Sequence, residues 1–340
     1  MSRSALDPEA IVVREYRPED AEDLLQVRNA IFPPLTLEQW RATTQNFTAS
    51  LAYAGDEPIG AIPFELRDFL VAPGKVVRVA QENAVGVRED ARSLGIGTKM
   101  IEAAAEFLPD RCDLLTVYRG AERSRGYKFY ERSGHDDLIY LRHAYWDEPA
   151  GERGDVAVLG LEELEADGDR LLEVFAATYG GIAGYPPRSV GYWAPQLRGH
   201  IYVVLPTDVY YLRWPAEGQP EAYLLLGHRH ERPHEQNNPL SILEFAATSP
   251  EAARRVLTAA GALAAEQGRT VQVYVSWEYP FRQLLREVGF REDLRHFMIM
   301  ARVINPQRLL QRAAEDLAAL DDLVLDVWTP RTDYRLWEGP

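Results

Sequence analysis

An apolar strand ends at Gly86-Val87, a short polar loop follows, and Arg92-Ser93-Leu94-Gly95-Ile96-Gly97 leads at once into an amphipathic helix. This strand, glycine loop and helix restrict the chain to folds in which sheet and helix pack together. A helix start carries unpaired N–H groups and a partial positive charge. A pyrophosphate binds there if the backbone can come close. Gly95 and Gly97 lack the Cβ atoms that would block the approach, and Arg92 and Lys99 add charge. Gly-x-Gly alone is a weak signal, since such pairs also form plain turns. Its context strengthens it: a buried strand, Leu114–Tyr118, comes next, then a short helix over Tyr127–Ser133 stopped by Gly134.

The order of elements recurs. In the first half, strands are expected at Ile11–Tyr16, Ser50–Ala54, Pro58–Leu66 and Val76–Val87, with helices from Pro18 and over Ile96–Leu108, and a last strand at Leu138–Trp146. The polar run Pro149–Gly154 reads as a linker. After it come strands at Val156–Leu159, Ile201–Leu205, Val209–Arg213, Ala222–Leu226 and Leu240–Ala246, a helix over Ser249–Glu266, a strand at Val271–Val275, a helix over Phe281–Val288 and a strand at Phe297–Ile304. Tyr130-x-x-x-Gly134-His135 aligns with Leu285-x-x-x-Gly289-Phe290, the anchor of an internal duplication. The expected domains are 1–150, 155–304, and a tail over 305–340 with a helix (Gln307–Leu320) and a strand (Leu323–Trp328).

A chain of 340 residues accommodates two such domains. Its net charge of −15 repels phosphate backbones, so nucleic acid is not an expected partner. It weakly favours a cationic acceptor. The single cysteine, Cys112, excludes an intrachain disulfide and fits a reducing cytoplasm. No run is long and apolar enough to span a membrane.

Val85-Gly86-Val87 through Arg92-Ser93-Leu94-Gly95-Ile96-Gly97, with Gly126-Tyr127-Lys128-Phe129-Tyr130-Glu131-Arg132-Ser133-Gly134-His135, resembles the two signature motifs of the GCN5-related N-acetyltransferase (GNAT) superfamily. His135 stands where that family usually has Phe. The resemblance implies an α/β (α+β) architecture: two fused acyl-CoA N-acyltransferase folds, each a mixed, mostly antiparallel twisted sheet flanked by helices. It implies acetyl-CoA as cosubstrate, with the pantetheine arm in a gap between the strand ending at Val87 and the strand Leu114–Tyr118. The arm would pair with backbone near Val85 and Val87, with the acyl carbonyl polarised by an N–H beside Gly86. The pyrophosphate would lie on N–H groups from Leu94 to Thr98, Gly95, Ile96 and Gly97 among them, and Arg92, Ser93 and Tyr127 would line the coenzyme site.

The family transfers the acyl group directly to an amine. Tyr130 matches its general-acid tyrosine; the competing reading is a tyrosine packed on the pantetheine. Glu82 lies near where some relatives place a glutamate and is a candidate base, with a water chain as rival. Some two-copy relatives use the terminal carboxylate, but packing of the tail is the favoured reading here. In the second half Thr248-Ser249-Pro250 replaces the glycine run and Leu285 the tyrosine, so a degenerate copy without coenzyme is expected. The aromatic loop Tyr179–Pro187 with Tyr192-Trp193 either walls an amine pocket or simply packs, the second being favoured. His228-x-His230-x-x-x-His234 reads as a solvated loop and not a metal site, and Cys112 reads as packing. The expected function is an N-acetyltransferase acting on a primary amine, as a monomer or homodimer. The alternative is a non-catalytic acyl-CoA sensor or scaffold.

Overall fold

The computed structural model describes residues 6–32, 34–43, 46–72, 75–83, 85–119, 125–180, 188–189, 192–193, 209–228, 239–276 and 279–313. The expected strand Ile201–Leu205, most of the aromatic loop and the tail beyond 313 lie outside them. Two compact units divide the chain: one drawn from Met1–Phe69, Lys75–Leu138 and Met298–Val324, the other from Leu70–Gly74, Ile139–Phe297 and Leu325–Pro340.

The first unit runs β1 (Ile11–Glu15), α1 (Ala21–Asn29), α2 (Leu37–Thr43), β2 (Phe47–Ala54), β3 (Glu57–Ala72), β4 (Lys75–Glu82), β5 (Gly86–Val87), α3 (Ile96–Phe107), β6 (Leu114–Arg119) and α4 (Arg125–Arg132). Its sheet order is β1-β2-β3-β4-β6, with β5 on β3. β1–β2, β2–β3 and β3–β5 pair antiparallel, and β4 pairs parallel with β6. Within this unit the strand after β6 is Met298–Val303, which pairs antiparallel with Arg119–Leu114. These residues close β13 (Arg291–Val303), the last strand of the second half. Helix α3 buries Ile96, Met100, Ile101 and Ala104, the stripe its apolar spacing sets. Ser50 on β2 donates its hydroxyl to the Met100 carbonyl, 2.8 Å away in the core.

The second unit holds β7 (Asp136–Trp146), β8 (Ala157–Leu159), α5 (Leu161–Tyr179), β9 (Val209–Trp214), β10 (Ala222–His228), β11 (Leu240–Ala247), α6 (Pro250–Glu266), β12 (Val271–Ser276) and α7 (Arg282–Val288). Its order is β7-β12-β11-β10-β9-β8, with β11 and β12 the parallel pair. Its core joins Trp146, Leu171, Phe175, Phe245, Val256 and Leu257. Each unit is therefore a mixed, mostly antiparallel sheet with helices packed on it.

Four elements depart from the sequence expectation. The strand expected over Val76–Val87 is broken between Glu82 and Gly86, and β3 runs on to Ala72. Helix α2 was not expected; Trp40 is buried there, its ring edge-on to Phe47 at 5.3 Å. β13 starts at Arg291, six residues before the expected Phe297. The units also do not part at the 149–154 linker. They part within β7 and within β13, because each sheet takes its final strand from the other half of the chain.

Candidate active site

The candidate site residues gather at the break between β4 and β5. The parallel ladder of β4 and β6 ends at Glu82 opposite Val117. From there the backbone stays with β3: Asn83 N–H bonds Pro63 C=O at 2.9 Å, Gly86 faces Ala61, and Arg88 N–H bonds Ile59 C=O at 2.8 Å. β6 continues to Arg119 against Met298 on its other side. Two strands paired up to Glu82 thus part beyond it, as the family resemblance implies.

Past Val87 the chain makes a short turn at Glu89–Ala91 and enters α3. Ser93 takes φ 69°, rare for a residue with a Cβ, and Gly95 takes φ 75° as the N-cap. The first helical bond runs from Lys99 N–H to Gly95 C=O, 3.0 Å, and no side chain caps the end. The N–H groups of Ile96, Gly97 and Thr98 precede that ladder and give an open positive end.

The two glycines do different work. Gly95 needs its left-handed φ, and a Cβ there would meet nothing within 4 Å. A Cβ at Gly97 would stand 2.9 Å from the Phe129 ring, so Gly97 lets α4 pack on the first turn of α3. The expectation that both simply clear a path for an anion is corrected in this respect. The two cations are also engaged within the chain: Arg92 Nε donates to Val87 C=O at 3.1 Å, and Lys99 Nζ to Pro8 C=O at 2.7 Å.

Helix α4 ends on Gly134 (φ 77°), which turns the chain so that His135 N–H bonds the Tyr130 carbonyl at 3.0 Å. Tyr130 is 5% exposed, with Phe129 and His135 ring centroids at 4.9 and 5.3 Å. The Tyr127 hydroxyl donates to Asp137 at 3.2 Å. Glu82, expected as a base, has no exposed side-chain surface; its Oε1 lies 2.9 Å from His135 Nε2, equally buried. Sequence reasoning noted His135 as a departure from Phe but did not connect it to Glu82. A polar residue in a family's apolar position was the available signal.

Residues 13–135 match the Acetyltransferase (GNAT) family. This segment of the first unit is similar to a GNAT domain, and the unit is called by that name. Solved structures similar in fold span both units. A GCN5-related N-acetyltransferase from Anabaena variabilis is 15% identical over 89% of this chain and 75% of its own, with TM-score 0.67. A probable N-acyltransferase from Enterococcus faecalis is 13% identical over 89% and 74%, with TM-score 0.68. A tandem GNAT protein from the clavulanic acid biosynthesis pathway is 13% identical over 87% and 99%, with TM-score 0.54. No curated protein matches the sequence.

The second unit repeats the frame of the GNAT domain with different chemistry. Gly289 (φ 119°) ends α7, and Phe290 N–H bonds the Leu285 carbonyl at 2.9 Å, the same turn as at Tyr130. Its β11–β12 ladder stops at Ser241 opposite Gln272. Beyond that point the Phe245 carbonyl accepts hydroxyls from Tyr179 (2.5 Å) and Tyr279 (3.2 Å), and Phe281 packs on the Phe245 ring. Helix α6 begins with Pro250 and is capped by Ser249, whose oxygen accepts Ala252 N–H at 3.2 Å. A side chain thus occupies the helix end that is open in the GNAT domain.

Where the remaining candidates are described, they pack within the second unit or, for Cys112, within the first. The Arg188 guanidinium lies over Tyr192 (4.0 Å) and Phe175 (4.5 Å) and pairs with Glu244, which also accepts Trp193 Nε1–H and the Tyr223 hydroxyl. These aromatics already hold a cation supplied by the chain itself. Cys112 is buried, and burial pushes its thiol up to about 12. The His230 and His234 positions lie outside the described residues; among those described, no group of three metal-ligating side chains occurs. Among them, too, no helix is long and apolar enough to cross a membrane.

Proposed function

We propose that the GNAT domain transfers an acetyl group from acetyl-CoA to a primary amine of a small acceptor, by direct attack. The carrying observation is the uncapped first turn of α3 beside the point where β4 and β6 part. The pyrophosphate rests on the N–H groups of Ile96, Gly97 and Thr98, and the pantetheine arm extends into the parted strands along Val85 to Val87. The amine lone pair attacks the thioester carbon, the C–S bond breaks, and Tyr130 passes its hydroxyl proton to the departing thiolate. An N–H backbone donor near Gly86 stabilises the oxygen that gains charge. Water takes up the acceptor's surplus proton and returns a proton to the Tyr130 phenolate, because the Glu82 carboxyl group is sealed from the surface.

The second unit takes no coenzyme. Its helix end is closed by Ser249, Leu285 replaces the proton donor, and the Phe245 carbonyl is bonded to two tyrosines. Release of free thiol from acetyl-CoA, followed across a panel of primary amines, tests the reading. Amine-dependent release, strongly lowered but still measurable in Tyr130→Phe, is the expected result. Tight binding with no release for any amine contradicts it and points to an acyl-CoA sensor.

A further inference from the structure

We infer that the buried Glu82–His135 pair is a positioning device for Tyr130: Glu82 fixes the His135 ring, and that ring fixes the tyrosine. The functional consequence rests on the reading of Tyr130 as proton donor.

Both side chains lack exposed surface and share one bond of 2.9 Å between Nε2 and Oε1. A carboxylate in such a place is costly unless a donor meets it, and removing one partner strands the other. The pair therefore stands or falls together. Its placement gives it a role. Glu82 is the last rung of the β4–β6 ladder, at the edge of the parted strands. His135 follows the left-handed Gly134, and its backbone N–H is bonded to Tyr130 itself. The His135 ring meets the Tyr130 ring at 5.3 Å and 75°, edge to face. One hydrogen bond thus links the fixed edge of the sheet to the ring that must present its hydroxyl.

The second unit supplies the control. Phe290 occupies the equivalent place after Gly289, makes the same backbone bond to Leu285, and packs on Trp146 at 5.3 Å. The fold thus forms this turn with a plain aromatic residue. The directional polar bond accompanies the copy that has a tyrosine to orient. Among the described residues, Glu82 Oε2 and His135 Nδ1 meet no hydrogen-bond partner, so a single contact sets the orientation of both groups. Donors and acids must be held to a fraction of an ångström to act.

The test combines tyrosine ring signals from 13C-labelled protein with turnover by thiol release from acetyl-CoA. Tyr130 is one of 17 tyrosines, identified by the signal lost in Tyr130→Phe. Glu82→Ala and His135→Ala should shift the Tyr130 signal and lower kcat about tenfold with the KM for acetyl-CoA unchanged. Glu82→Gln and His135→Gln, which retain a hydrogen bond, should leave the signal in place and recover most of the lost turnover. Glu82→Ala should cost nothing further in a Tyr130→Phe background. The inference is overturned if the Tyr130 signal is unmoved by Glu82→Ala, or if Glu82→Gln loses as much turnover as Glu82→Ala. Should the alanine variants fail to fold, the glutamine variants decide by the same two readouts. If Tyr130→Phe itself leaves turnover intact, the proton-donor reading fails, and the ring signals still decide the positioning.

Discussion

At position 97 the absence of a Cβ sets how closely α3 and α4 meet, because the nearest ring atoms of Phe129 would lie 2.9 Å from it. Gly97→Ala should therefore destabilise the chain by about 1–3 kcal/mol, the usual cost of overpacking. Phe129→Leu in the same chain should restore part of the loss. Urea unfolding of the two variants checks this, and a Gly97→Ala midpoint equal to wild type counts against it. Cys112 gives a second expectation. A raised thiol constant means that the thiol form dominates at all pH values below about 12, so iodoacetamide should modify the folded protein at pH 8 far more slowly than the unfolded chain. Equal rates would contradict the burial. The glycine turn before α3 and the Gly134 stop of α4 were legible in sequence because each is set within a few residues of chain. The Glu82–His135 contact was not, because it joins residues 53 positions apart and only the folded sheet brings them together.

At the scale of elements, the two halves differ most in how their corresponding helices begin. Helix α3 starts on Gly95 with no side-chain cap, whereas α6 is closed by Ser249 and Pro250. Ser249→Ala should cost about 1 kcal/mol in stability, as loss of an N-cap does. It should leave acetyl-CoA affinity untouched, and calorimetry on that variant separates a cap from a ligand site. The sequence carried this contrast well, since glycine, serine and proline at helix starts have local physical meaning. It did not show where β4 breaks. Ala84-Val85 continues the apolar pattern across the break, so periodicity alone reads one strand from Val76 to Val87. What ends the ladder is the departure of β6 after Val117, a tertiary event.

At the scale of the whole molecule, the duplication visible in the element order does not divide the chain into two consecutive blocks. The GNAT domain's sheet is completed by Met298–Val303, and Ile304 and Asn305 N–H groups bond Asp113 C=O at 2.9 and 3.2 Å. A fragment ending at residue 150, the boundary read from the linker, leaves the β6 edge without its partner. That fragment should fail to show a cooperative thermal transition as a monomer, while the full chain shows one. A well-folded monomeric fragment would contradict the strand assignment. Pro and Gly mark where a chain turns, whereas the pairing of Met298 with Arg119, 179 positions away, leaves no local mark.

The central claim is that one coenzyme site, at the open end of α3, serves the entire chain. Titration calorimetry of the full-length protein with acetyl-CoA tests it most directly. The expected stoichiometry is one per chain, abolished by Gly97→Glu and preserved in Ser249→Ala. Two sites per chain, or binding that survives Gly97→Glu, would contradict the account.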